Sequence, residues 1–317
     1  MTADGDRTTP TATPGAASTP GAPVDLRTTL GAVEVTRDVV RVAGPDAVTY
    51  LQGQLSQDVA GLAAGSSAWS FLLQPTGKVD AWLRVTRVGD DEVVLDVEGG
   101  HGPAVLARLR RFLLRTKADV DPLDLPCVAL RGPGAEAAAA GAEARLRAPA
   151  GWPAVEGVDL LGVGAGAGEA PEGAVPASQA AYESLRIRSG VPAMGAELTE
   201  ATIPAEAGRH VLDASVSFTK GCFTGQELVA RIDSRGGNVP RLVRGVDLHS
   251  GTAPPPGAPV LVDGAEAGHL TSVAPRPGGG SVALAVLARR VAPPAPALVQ
   301  VDGAPVEATV VDLPFET

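Results

Sequence analysis

Lys220-Gly221-Cys222-Phe223-Thr224-Gly225-Gln226-Glu227 places an ammonium, a thiol, an amide and a carboxylate within eight residues of a chain that is sparing with such groups. The 317 residues hold two cysteines, three lysines, five phenylalanines and one asparagine, yet Lys220, Cys222, Phe223 and Asn238 fall within nineteen residues of one another. The residues alone allow two readings of Cys222. Flanked by Lys220, Arg231 and Arg235, its thiol can ionise below the usual value of about 8.5 and become reactive. It would then pass on sulfur, oxidise reversibly, or lend one ligand to a cluster shared with a partner. The plainer reading is a small buried hydrophobe, and for Cys127, in the strand-like DLPCVAL, that is the expectation. Gly221 and Gly225 allow a tight turn or close approach to a ligand. Gln226 offers hydrogen bonds to a heteroaromatic edge, and Glu227 either holds Lys220 or Arg231 or simply begins the next element.

Other catalytic classes find little support. The nearest histidine, His210, lies twelve residues upstream of Cys222, which gives a Cys–His pairing no local basis. Two cysteines are too few for a disulfide framework, or for a self-contained zinc or iron–sulfur site. Residues 220–244 carry Lys220, Arg231, Arg235, Arg241 and Arg244 against Glu227 and Asp233, a basic stretch in a chain of net charge −10. Such a patch suits a polyanionic tail or an acidic partner surface, with a merely solvated loop as the alternative. Arg108 to Lys117 carries five positive residues and no acid, which reads as the wet face of an amphipathic helix. The acidic balance makes direct nucleic-acid binding and attachment to anionic membranes poor expectations. No apolar run approaches the ~20 residues of a membrane span, and no secretory signal pattern opens the chain, so the expectation is a cytoplasmic protein.

These groups need a scaffold, and its elements can be read from periodicity. Residues 1–27, rich in Thr, Pro, Ala and Gly, are expected to be disordered. A strand at 39–43 leads into a helix over 46–59, then a hairpin of 68–73 and 79–88 about a Pro-Thr-Gly turn, a strand at 92–97 and a helix over 103–117. The Ala/Gly-rich stretch 131–177 suggests weak or loop-rich structure with one short strand near 158–163. A helix over 178–190 has Ser178 to cap its start and Gly190 to end it, with Pro192 beyond. From Arg241 onward, short β-like runs separated by Gly and Pro suggest a small closed barrel.

Three stretches together resemble one family. GPDAVTYLQGQLSQDVAGL (44–62) with the following PTGK turn, YESLRIRSGVPAMGAELTEATIPAE (182–206) and KGCFTGQELVAR (220–231) are similar to the YgfZ folate-binding proteins and their relative, the T-protein of the glycine cleavage system. The KGCFTGQE spelling marks the YgfZ branch. The resemblance implies an α+β fold of three subdomains: a folate-binding region over 28–240, split by the 131–177 stretch, and a C-terminal β-barrel over 241–317. It also implies tetrahydrofolate as ligand and a role in assembling or maintaining iron–sulfur proteins, including enzymes of tRNA modification, with those proteins as partners. Cys222 and Lys220 would carry the chemistry within the motif of Gly221, Phe223, Gly225, Gln226, Glu227 and Arg231, while Tyr182, Lys220 and Arg231 would contact folate. The T-protein has an acidic catalytic residue on the strand after the hairpin turn. The matching place here is Ala81 or Trp82, with Asp80 beside it, and Arg37 stands where some relatives have a second aromatic. The first departure counts against the alternative reading, a one-carbon transferase, with Asp80 close enough to keep it open, and the second counts against an exact copy of the folate site.

Overall fold

The computed structural model describes residues 24–163, 171–249, 253–301 and 303–315. The chain opens with β1 (Gly31–Val35), β2 (Arg37–Ala43) and α1 (Ala47–Gln54), continues through β3 (Ser67–Leu73), β4 (Val79–Arg87) and β5 (Glu92–Glu98), and reaches α2 (Gly102–Arg111). Next come β6 (Asp119–Leu123), β7 (Cys127–Arg131), α3 (Ala135–Gly141), β8 (Leu146–Pro149), β9 (Gly157–Leu161) and β10 (Val175–Pro176). Three helices follow, α4 (Gln179–Arg188), α5 (Arg209–Ser215) and α6 (Gln226–Ser234). The chain finishes as β11 (Arg241–Leu248), β12 (Pro259–Val262), β13 (Ala265–Pro275), β14 (Ser281–Ala288), β15 (Ala295–Val301) and β16 (Ala304–Val311).

These strands form two five-stranded sheets and a closed barrel. The first sheet runs β3-β4-β5-β2-β6 and the second β10-β1-β7-β9-β8, so the chain changes sheet at Thr36, between β1 and β2. The 131–177 stretch is more structured than its composition suggests: it supplies α3, β8, β9 and β10 to the second sheet, and β9 is buried along its whole length. β9 itself reads GVDLL, so the short strand expected near 158–163 lies in the one apolar run of the stretch. Of the tail expected to be disordered over 1–27, residues 1–23 lie outside the described residues, while residues 24–27 belong to the folded body, against that expectation. Leu26 is buried in the core, and Arg188 Nη1 reaches Asp25 at 2.8 Å. Val24 packs against the same core, and Arg27 Nη2 donates to the Arg188 carbonyl at 3.1 Å.

Two expected helices are shorter than their periodicity. α1 stops at Gln54 because Leu55 turns extended and bridges Leu72, and α2 stops at Arg111. α4 is as expected: Ser178 Oγ accepts from Ala181 N at 3.2 Å. At its other end Gly190 (φ +69°) and Val191 donate back to the Ile187 and Arg186 carbonyls, the paired closure that glycine makes inexpensive.

The barrel order is β11-β14-β13-β12-β15-β16, closed by pairing of β11 with β16. It packs against α4 through Ile187, Val243, Leu284 and Phe315. A buried polar contact joins them as well. Arg186 Nη2 donates to Ser272 Oγ (2.8 Å) on β13, and Ser272 Oγ donates to Glu197 Oε1 (2.7 Å).

Candidate functional site

All three tryptophans of the chain, together with Tyr182, line one cavity of about 330 Å³ reached from both sheets and from α4. A volume of this size is at the lower end for small-molecule sites, and aromatic walls suit flat rings. Trp69 and Trp82 stack at 4.0 Å between ring centroids, held by Trp69 Nε1 donating to Ala150 O and Trp82 Nε1 to Ser215 Oγ. Trp152 and Tyr182 meet at 5.1 Å. Tyr182, which the resemblance makes a folate contact, lies in this cavity wall. Trp69, Trp82 and Trp152 are core and cavity wall at once.

A β-bulge directs one of these rings. Leu72 pairs with Ala81 but Leu73 pairs with Val79, leaving Asp80 as the extra residue. As a result Val79 and Trp82, three apart, pack in the same cluster, while Ala81 joins the cluster under α1 and α2. Asp80 follows that second side: it receives Arg108 Nε at 3.3 Å and borders a different cavity of about 250 Å³. No alternation rule applied to VDAWLRV would have placed it there.

Behind the rings runs a buried chain of charge. Arg84 Nη1 donates to Asp159 Oδ2 at 2.8 Å, and its Nε and Nη2 hold Asp96 at 3.0 Å. Arg37 Nε reaches Asp96 at 2.8 Å. Arg131 Nη1 lies 2.8 Å from Asp159 Oδ1 as an ion pair by distance, its aligned hydrogen bond going to the Leu130 carbonyl. Burial alone would raise the Asp159 carboxyl, but Arg131, Arg84 and Arg37 outweigh it and hold the group well below the usual carboxylate range. Arg131 also lies over the Trp152 ring (4.3 Å) and near that of Tyr182 (5.4 Å). Its Nε is buried with no hydrogen-bond partner among the described residues. This network leaves no local signature in the sequence, because its arginines and aspartates are spread over five strands. Only Arg37 had been singled out, and it borders the cavity as a cation where an aromatic was sought.

The Lys220–Glu227 segment lies outside that lining and is fastened to α1 instead. Lys220 Nζ donates to the carbonyls of Gln52 (2.6 Å), Leu55 (2.7 Å) and Gln57 (2.9 Å), so all three of its protons are committed. Burial pushes this ammonium down to about 8, which still leaves it protonated at neutral pH. Thr224 N donates to Gly53 O, and Gln226 Oε1 receives Phe223 N. Phe223 packs against the core that contains Trp69 and Trp82. Gly225 (φ +78°) begins α6 against the hairpin turn, where an added Cβ would meet Gln74 O at 2.5 Å, so the motif glycine has a packing reason. Gly221, Cys222 and Glu227 are exposed. Exposure removes the buried-hydrophobe reading of Cys222. Cys127 is the opposite case, buried in β7, where burial pushes its thiol well up.

The expected basic patch is dispersed by partners. Arg241 pairs with Glu206 and Arg244 with Asp312, while Asp233 is taken by Arg209. Arg231 and Arg235 remain exposed on and just after α6, without an acidic partner among the described residues. His210 Nε2 is hydrogen-bonded to the Gly190 carbonyl, 2.8 Å away. No cluster of three metal-ligating side chains occurs among the described residues, nor does any helix long and apolar enough to cross a membrane.

Residues 241–316 match the glycine cleavage T-protein C-terminal barrel domain. An aminomethyltransferase of Streptomyces avermitilis is 31% identical, the match covering 85% of this chain and 72% of that protein. The chain belongs to the family of the glycine cleavage T-protein and the YgfZ proteins. Within this family, the tRNA-modifying protein YgfZ of Edwardsiella ictaluri is 30% identical over 63% of this chain and 65% of its own. The crystal structure of aminomethyltransferase T from Bartonella henselae has the same fold, with a TM-score of 0.75 at 21% identity over 92% of this chain and 88% of that one.

Proposed function

We propose that this protein binds tetrahydrofolate in the tryptophan-lined cavity and supports the assembly or maintenance of iron–sulfur enzymes through the Cys222 thiol. The observation that carries the reading is the convergence of Trp69, Trp82, Trp152 and Tyr182 on one cavity that also holds a buried, unpartnered Arg131 Nε. Flat rings with polar edges satisfy both features, and the 2-amino-4-oxopyrimidine half of a reduced pterin is such a ring. Trp152 and Tyr182 would stack on it and Arg131 would donate to it. When bound, tetrahydrofolate supplies nitrogens able to carry a one-carbon unit. Lys220 serves by fixing the loop that exposes Cys222, and Arg231 and Arg235 remain available to the folate tail or to an acidic partner. The partners would be iron–sulfur clients or assembly proteins of the cytoplasm. The position of Asp80, paired with Arg108 away from the cavity, speaks against the transferase reading.

The test has two parts. Titration with tetrahydrofolate should quench the fluorescence of the three tryptophans, and wild type, but not Cys222→Ala, should restore iron–sulfur enzyme activity to cells lacking the protein. Full rescue by Cys222→Ala would remove the thiol from the mechanism. Turnover of an aminomethyl donor by purified protein would establish the transferase instead.

A further inference from the structure

Three carboxylates line the cavity, and two of them are neutralised by guanidinium groups. Asp159 is held by Arg84 and Arg131, and Glu183 Oε2 receives Arg186 Nε and Nη2 at 2.9 and 2.8 Å. Glu98, at the end of β5, differs. Its Oε2 accepts from the Met194 amide at 2.8 Å, while Oε1 takes no hydrogen bond among the described residues. Arg37 stands opposite it in the strand register but turns its guanidinium to Asp96. From the second sheet, Arg131 brings the buried Nε that lacks an acceptor. The cavity therefore has an open carboxylate oxygen beside four aromatic side chains, and one of its lining arginines, Arg131, keeps a buried Nε without an acceptor among the described residues.

We infer that Glu98 is a specificity-determining residue of this cavity, taking the donor edge of a flat 2-amino-4-oxo heteroaromatic ring while Arg131 Nε donates to an acceptor atom of the same ring system. This deepens the folate reading and rests on it. A ring N–H next to an exocyclic amine presents two parallel donors, which a carboxylate receives as it receives a guanidinium fork. Carboxylate oxygens have lone pairs to spare, so the Met194 bond need not be given up. Burial pushes the Glu98 carboxyl up, with the Met194 amide, Arg186 and Arg37 acting against that and Glu183 adding to it. A ligand that brings two N–H groups supplies what these neighbours leave unmet. A 2,4-dioxo ring would set a carbonyl against the same oxygen, and sites built around a substrate N–H reject analogues that lack it.

The experiment compares tetrahydrofolate, pterin and lumazine, the last carrying a 2-oxo in place of the 2-amino group, by calorimetry on wild type and Glu98→Gln. Wild type is expected to prefer pterin over lumazine by roughly tenfold or more. Glu98→Gln should bind tetrahydrofolate roughly 10- to 100-fold more weakly and lose that preference, because its amide offers a donor to the 2-oxo group. The glutamine keeps an acceptor for Met194 N, so the melting temperature should hold; should it fall, the wild-type pterin-to-lumazine ratio decides alone. Tetrahydrofolate binding with equal affinity for pterin and lumazine, or with Glu98→Gln unchanged, overturns the role of Glu98 and leaves the folate reading standing. A wild type that binds no tetrahydrofolate overturns both.

Discussion

Around the cavity, charge is buried against charge: Arg37, Arg84 and Arg131 share Asp96 and Asp159. In the Cys222 loop, the half-buried ammonium of Lys220 is met by three uncharged carbonyls at the end of α1. The difference matters because each member of the first network offsets the buried charge of the others, whereas the loop hangs on one side chain, Lys220, whose acceptors are all backbone carbonyls. A cavity wall of the first kind is fixed before ligand arrives. A loop of the second kind leaves its exposed side chains, Cys222 among them, free of structural duty.

The contrast can be broken most directly at Asp159. Asp159→Asn strands Arg131 and half of Arg84 in a dry wall, and breaking such a pair costs about 3–5 kcal/mol. Urea unfolding should show that loss, together with loss of ligand-induced tryptophan quenching; a cost below about 1 kcal/mol would mean the wall rests on packing alone. The same carboxyl sets a pH dependence. Because its folded value is depressed, its contribution is complete above the ordinary carboxylate value of about 4 and is lost as pH falls below that. Acid should therefore destabilise wild type more steeply than Asp159→Asn, as followed by circular dichroism from pH 6 downward.

Lys220→Met should have the next largest effect. It leaves three partly wet carbonyls without their donor, at about 1–3 kcal/mol. Tetrahydrofolate quenching should persist while rescue of iron–sulfur enzymes fails, because the loop loses its fastening and the cavity does not. Equal loss of both would merge the two regions into one site. The smallest effect is on stability and the clearest on reactivity: a thiol reagent should label Cys222 in the native protein and Cys127 only after unfolding, with Cys222→Ala melting as wild type does.

Much of this was legible in sequence wherever the signal was local. Ser178 and Gly190 bound α4 because caps are spelled by residues next to the helix they end. The barrel appeared as evenly spaced β runs. KGCFTGQE pointed to the family. What stayed hidden was set by contacts distant in sequence. Lys220 looked like a neighbour for Cys222, but the end of α1, more than 160 residues away, claims its protons. Asp80 looked two residues from Trp82 on one strand face, until the bulge separated them. Glu98 drew no notice, since a single carboxylate at a strand end gains meaning only when its neighbours are seen to be already paired.

The Ser272 hydroxyl, finally, makes the barrel more than an appended module. It lies between Arg186, which borders the cavity, and Glu197, whose other oxygen receives the Ala193 amide. Ala193 precedes Met194, the residue whose amide steadies Glu98. A gene fragment lacking the barrel would thus encode a cavity wall in which Arg186 and Glu197 lose the hydroxyl that joins them.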